Sequence, residues 1–171
     1  MTSTPERIGA ALARALKGTL KSTPAPMPPR PAPAGDGPAI YRINIRNVPK
    51  LQALESGIDS GDMQVQLLID RASAGADHTV GWTVLKPGAR HERHRHGRCD
   101  EFFLVLKGRG HIYSDLGEEP SVEGDVVYSP RGCWHGFNNT SDQDVVLVWG
   151  WMGAGSIEAS GYEVHPDTHG S

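Results

Sequence analysis

Apolar positions along this chain recur mostly at the period of two that suits extended strands. Met63-Gln-Val-Gln-Leu-Leu-Ile69 alternates and then becomes continuously apolar, the pattern of a strand at a sheet edge or in a sandwich core. His78 to Leu85 predicts the next strand, with Val80, Trp82 and Val84 on one face and Thr83 and Leu85 on the other. Phe102-Phe-Leu-Val-Leu106 is an apolar run of strand length closed by Gly108, and Gly108-Arg-Gly110 turns into a strand over His111 to Ser114. Asp115 to Pro120 reads as a turn, Ser121 to Ser129 as a strand, and Gln143 to Met152 as the last strand. Short strands with turn signals every eight to twelve residues or so predict an all-β sandwich or barrel.

The two ends read differently. Thr4-Pro5-Glu6 places a capping hydroxyl before a proline at the first helical position. Ile8, Leu12, Ala15, Leu16 and Leu20 follow at helical spacing, so residues 1–21 predict an amphipathic helical extension. Such a helix suits packing on its own domain or on a dimer partner, weak surface binding, or a transit peptide. Residues 22–38 hold seven prolines and predict an extended linker. A folded barrel domain is expected over residues 39–165, with a short tail at 166–171. Gly153 to Tyr162 has the composition of a flexible segment, one able to wrap back across a barrel mouth.

Composition narrows the function. With 21 Gly and 13 Pro among 171 residues, turns should outnumber long helices. A net charge of −3 with no basic block argues against nucleic acid as a partner. The absence of a long apolar run argues against stable membrane insertion. Cys99 and Cys133 are too few for a disulfide framework and suit reduced thiols in a cytoplasmic protein.

One polar stretch concentrates the chemistry. His94 and His96 lie two apart, so on a strand both imidazoles leave the same face. Glu101 follows an interval containing Gly97, where the chain can bend. Two neutral imidazoles and a carboxylate aimed at one point suit Fe(II), Mn(II), Ni(II), Zn(II) or Cu(II). Gly88, His94, His96, Glu101 and Gly108 are spaced as G-x5-H-x-H-x4-E-x6-G. Gly124, Pro130, Gly132, His135 and Asn139 are spaced as G-x5-P-x-G-x2-H-x3-N. At every fixed position these resemble the two motifs of the cupin superfamily, and the resemblance covers roughly Val80 to Trp151.

That resemblance implies a small jelly-roll barrel. It also implies that His94, His96, Glu101 and His135 hold one divalent transition metal per chain, Fe(II) foremost, with Mn(II), Ni(II), Cu(II) or Zn(II) as alternatives. Four ligands leave about two octahedral positions for water, a bidentate substrate, or substrate plus dioxygen. Strand parity sets Phe103 and Val105 beside Glu101, and Phe137 beside His135. With Trp82 and Trp134 these form the expected substrate pocket, and Trp149 and Trp151 are further aromatic candidates. Glu101 and Tyr128 are the expected catalytic groups, whereas His91, outside the motif, reads first as an exposed loop residue and second as a base standing behind the ligands.

Three function classes stay open. The expected one is a non-haem Fe(II) dioxygenase of an enolisable or phenolic small molecule, because an apolar lining beside a full ligand set suits oxygen chemistry. The others are a redox-neutral lyase, isomerase or decarboxylase, and a small-molecule-binding protein without turnover. The expected partners are a small-molecule substrate and a second copy of the chain, as a homodimer.

Overall fold

The computed structural model describes residues 40–51 and 62–166. The helix expected over residues 1–21 and the linker over 22–38 lie outside the described residues. The chain divides into two compact units, 1–49 and 50–171. Among the described residues of the first, Ile45–Asn47 form a 3-10 turn, started by the Asn44 side chain accepting from the Arg46 amide at 3.0 Å.

The second unit is built from ten strands among its described residues. They are β1 (Met63–Ile69), β2 (Thr79–Leu85), β3 (Arg90–His96), β4 (Asp100–Lys107), β5 (Arg109–Ser114), β6 (Gly117–Val122), β7 (Val126–Ser129), β8 (His135–Asn138), β9 (Val145–Met152) and β10 (Tyr162–Val164). Two short helices, α1 (Arg71–Ala74) and α2 (Ile157–Ser160), join the set. The strands pair antiparallel in two five-stranded sheets, ordered β1-β2-β9-β4-β7 and β10-β3-β8-β5-β6. This is the jelly roll that the strand pattern and the motifs imply. No helix among the described residues is long and apolar enough to cross a membrane.

The core fills the space between the sheets with alternate residues of each strand. Leu85 from β2, Phe103 and Val105 from β4, and Val145, Leu147, Trp149 and Trp151 from β9 are buried there with Phe137 from β8. β2 corrects one expectation. Its inner positions are Thr79, Gly81, Thr83 and Leu85, so Trp82 belongs to the opposite, half-buried face. The reason lies on β9, where the Trp149 ring occupies the space above Gly81: a Cβ at Gly81 would sit 2.1 Å from that ring. Trp149 Nε1 then donates to Thr83 Oγ1 at 2.9 Å, satisfying a buried N–H.

β6 corrects another. Only Asp115 and Leu116 turn, and Gly117–Val122 pairs with β5 as a strand. Pro120 is tolerated because β6 is an edge strand, where a missing amide donor breaks no ladder. Loops are pinned by Asn139, which is fully buried and donates through Nδ2 to the carbonyls of Leu85, Lys86 and Gln143 at 3.0, 2.9 and 2.8 Å. The small-residue segment after β9 is also ordered. Ser156 caps α2, Gly161 ends it in the left-handed region, and β10 then adds to the edge of β3.

Candidate metal centre

Three of the four motif ligands come from adjacent strands of one sheet and the fourth from the other. His94 on β3 pairs directly with His135 on β8, and His96 follows two residues along. Glu101 projects from β4 across the core. The turn before β8 is set by Gly132, at φ 80°, whose amide donates to the His96 carbonyl at 2.8 Å. That bond fastens the approach of His135 to the strand bearing the other two imidazoles.

All four side chains are buried, and their donor atoms lie within 4.8 Å of one another. Glu101 Oε2 is 2.6 Å from His135 Nε2, 3.4 Å from His96 Nε2 and 4.0 Å from His94 Nε2. For metal–donor bonds of about 2.1 Å, cis donors stand about 3 Å apart and trans donors about 4.2 Å apart, which this cluster matches with small adjustments.

Each ring is held through its other nitrogen. His94 Nδ1 lies 2.8 Å from the Glu92 carbonyl, and His135 Nδ1 lies 2.9 Å from that of Cys133. His96 Nδ1 is 3.1 Å from Ser160 Oγ, whose own hydrogen goes to the Ile157 carbonyl at 2.7 Å. All three Nδ1 atoms therefore face acceptors, which places the proton there and turns three Nε2 lone pairs toward one carboxylate. Lone pairs facing a carboxylate repel unless a cation sits among them. Buried His96 Nε2 has no hydrogen-bond partner, as a donor meant for an ion would not.

The electrostatics agree. Burial opposes charge on Glu101, yet the adjoining His135 and His96 imidazoles outweigh it and hold the carboxyl well below its usual range. Burial also works against a charged His135, but the hydrogen bond to Glu101 prevails and raises it above its ordinary 6.5. His94 is held well below 6.5, first by burial and then by the neighbouring imidazoles of His91 and His135. The same close approach of His135 Nε2 and Glu101 Oε2 that favours a proton between them would favour a cation there.

The donors open into a narrow cavity of about 50 Å³, room for a few waters. Of the expected pocket residues, Phe103 and Phe137 line it, with their rings edge to face. Trp149 and Trp151 line it as well. The remaining expectations are corrected. Val105 is fully buried but lies in the core outside the cavity wall. Tyr128 is 61% exposed: it pairs with Phe102 on the outer face of its sheet, where its hydroxyl meets Asp100. Trp134 stands outside the cavity, with the Arg95 guanidinium over its ring and the His165 ring edge to face with it.

Some of the wall escaped the sequence reading. His91 is half-buried on β3 and lines the cavity, its ring 4.2 Å from that of His94. The cause is a bulge: His91 and His94 are three positions apart, while their partners Phe137 and His135 are two apart. One extra residue flips the parity and turns His91 inward. Burial lowers its pKa to about 4, against the opposing pull of Glu101. Ile157 and Tyr162 line the cavity from the segment after β9, with the Tyr162 ring stacked on His94 at 5.0 Å. No local pattern marks either of them.

Comparison with known proteins agrees with this geometry. Residues 81–151 match the family model described as a cupin domain. The chain is 34% identical over 107 residues to 1-hydroxy-2-naphthoate 1,2-dioxygenase of Nocardioides sp. (strain KP7), a match covering 58% of this chain and 27% of that protein. It is 31% identical over 86 residues to Protein SchB of Streptomyces halstedii, covering 50% of this chain and 62% of that protein. The chain thus spans less than two thirds of the curated relatives it matches. Among solved structures, it is similar to a sugar phosphate isomerase of the cupin superfamily from Silicibacter pomeroyi, with a TM-score of 0.56, 26% identity, and coverage of 66% of this chain and 76% of that one. With two complete motifs on one jelly roll, and their candidate ligands converging in its interior, residues 81–151 carry a cupin domain.

Proposed function

We propose that this chain is a metal-dependent enzyme acting on a small organic molecule, and that its reaction is the Fe(II)-dependent dioxygenation of a phenolic or enolisable substrate. The observation that carries the reading is four buried donors set in the wall of a narrow, mainly apolar cavity. Bound Fe(II) would supply substrate chelation and dioxygen chemistry through the positions that four protein ligands leave open.

The chain's own residues would do the rest. Phe103, Phe137, Leu147, Trp149 and Trp151 exclude water from the reacting groups. His91, whose ring lies 4.2 Å from that of His94 in the cavity wall and which burial keeps neutral at physiological pH, would hydrogen-bond and orient a substrate hydroxyl. A cavity of about 50 Å³ accepts the chelating end of a substrate, with any larger ring system lying outside it. The naphthoate dioxygenase supports this choice, since the compound in its name carries a hydroxyl and a carboxylate.

The redox-neutral alternative draws on the isomerase neighbour. Against a sugar phosphate stands the cavity lining, which among the described residues includes neither Lys nor Arg to meet a phosphate. An oxygen electrode separates the readings. Protein loaded anaerobically with Fe(II), Mn(II), Ni(II) or Zn(II) is mixed with a panel of diketones, hydroxyketones and ortho-hydroxylated aromatic acids. Substrate-dependent oxygen uptake with Fe(II) and none with Zn(II) is expected, since Zn(II) has no redox chemistry. Equal turnover under argon would refute the dioxygenase reading.

A further inference from the structure

The segment after β9 does more than cover the barrel. Ser160, the last residue of α2, is fully buried and lies 64 positions from the ligand whose ring it meets. Its hydroxyl hydrogen is committed to the Ile157 carbonyl at 2.7 Å, so toward His96 it offers only a lone pair. His96 Nδ1, at 3.1 Å, must then carry the ring proton, which leaves Nε2 as the free donor in the cluster. His94 and His135 obtain the same instruction from carbonyls two residues away on their own segments. Only His96 depends on a distant side chain.

The segment is fastened to the strand it serves. The Arg98 amide donates to the Ser160 carbonyl and the Gly97 amide to that of Gly161, both at 3.0 Å. β10 then pairs Tyr162 with His96 and Val164 with His94, and an ion pair joins Arg95 to Glu163. We propose that Ser160 is the positioning residue of His96, and that the segment 156–164 is a working part of the metal centre because it sets the tautomer of that ligand. The inference rests on the metal-centre reading. Losing such an outer partner costs about 10- to 100-fold in metal affinity.

Nitrogen-15 correlation spectra of the imidazoles, recorded on metal-free protein, test the tautomer without any metal. The expected result is His96 protonated at Nδ1 in the wild type and a shift toward the Nε2–H form in Ser160→Ala. Co(II) affinity, measured by competition with a chromophoric chelator, should fall about 10- to 100-fold in Ser160→Ala and recover in Ser160→Thr. Thermal unfolding of each metal-free variant separates this loss from simple destabilisation. A wild-type His96 protonated at Nε2 overturns the proposal whether or not Ser160→Ala folds. So does a Ser160→Ala protein that keeps both tautomer and affinity within about twofold. If the wild type binds no Co(II) while the tautomer is as expected, the metal-centre reading fails and the Ser160–His96 linkage stands.

Discussion

Loading the metal-free protein with a divalent ion should expel a proton, and the number expelled can be bounded from the site. Three imidazoles have their Nδ1 hydrogens committed outward, and their Nε2 atoms face one carboxylate. The shortest approach, 2.6 Å between His135 Nε2 and Glu101 Oε2, requires a proton between them. The Glu101 hydrogen bond raises the His135 pKa above its ordinary value despite burial, so the proton is held more firmly there than on a free imidazole. A metal ion needs the same lone pair, so binding should release up to about one proton per Zn(II), with the release growing as pH falls. Affinity should weaken about tenfold, or ~1.4 kcal/mol, for each unit of pH below the His135 value. Titration calorimetry in buffers of different ionisation enthalpy counts the protons directly. Zn(II) binding with no release at pH 5.5 and an affinity flat with pH would refute the shared-proton picture of the cluster.

Three further outcomes follow from the same geometry. His96→Ala should abolish most metal uptake in elemental analysis, whereas Glu101→Gln, which keeps an oxygen donor but loses the charge, should reduce it less; equal metal in both and in the wild type would sink the ligand assignment. Thr83→Val preserves shape but strands the buried Trp149 N–H, so urea unfolding should show a loss of about 1–3 kcal/mol, largely restored by Thr83→Ser; a loss below about 0.5 kcal/mol would contradict it. Acid should destabilise the metal-free domain. His91 is held near 4 in the fold and His94 well below 6.5, both mainly by burial, so their stabilising share is complete above pH 6.5 and is lost as pH falls toward 4, at up to ~1.4 kcal/mol per unit for each ring. Glu101, also depressed, loses its share at still lower pH, while His135, raised, contributes below 6.5 and loses its share as pH rises through its folded value. A thermal midpoint that stays level or rises from pH 6.5 to 4.5 would count against this balance.

The sequence by itself pointed to the candidate ligands, through their resemblance to the cupin motifs, and to the kind of fold, through local strand and turn rules. Metal binding admits few residue types, strand parity puts His94 and His96 on one face, and turn glycines such as Gly108 and Gly132 mark where strands end. The two motifs picked out the four side chains that the fold gathers within 4.8 Å of one another, and alternation placed Phe103 and Phe137 in the cavity wall. Only the tertiary structure decided which face of each strand meets the core. Trp82 points away because Trp149, contributed by a neighbouring strand, already fills the space above Gly81. Tyr128 lies outside because its register with Phe102 turns it there. His91 comes inside through a one-residue bulge that periodicity alone does not reveal. Ser160 reaches His96 across 64 residues, and a hydrogen bond of that span leaves no signature in either segment. Parity is local, but what stands opposite a strand is a property of the folded pair of sheets.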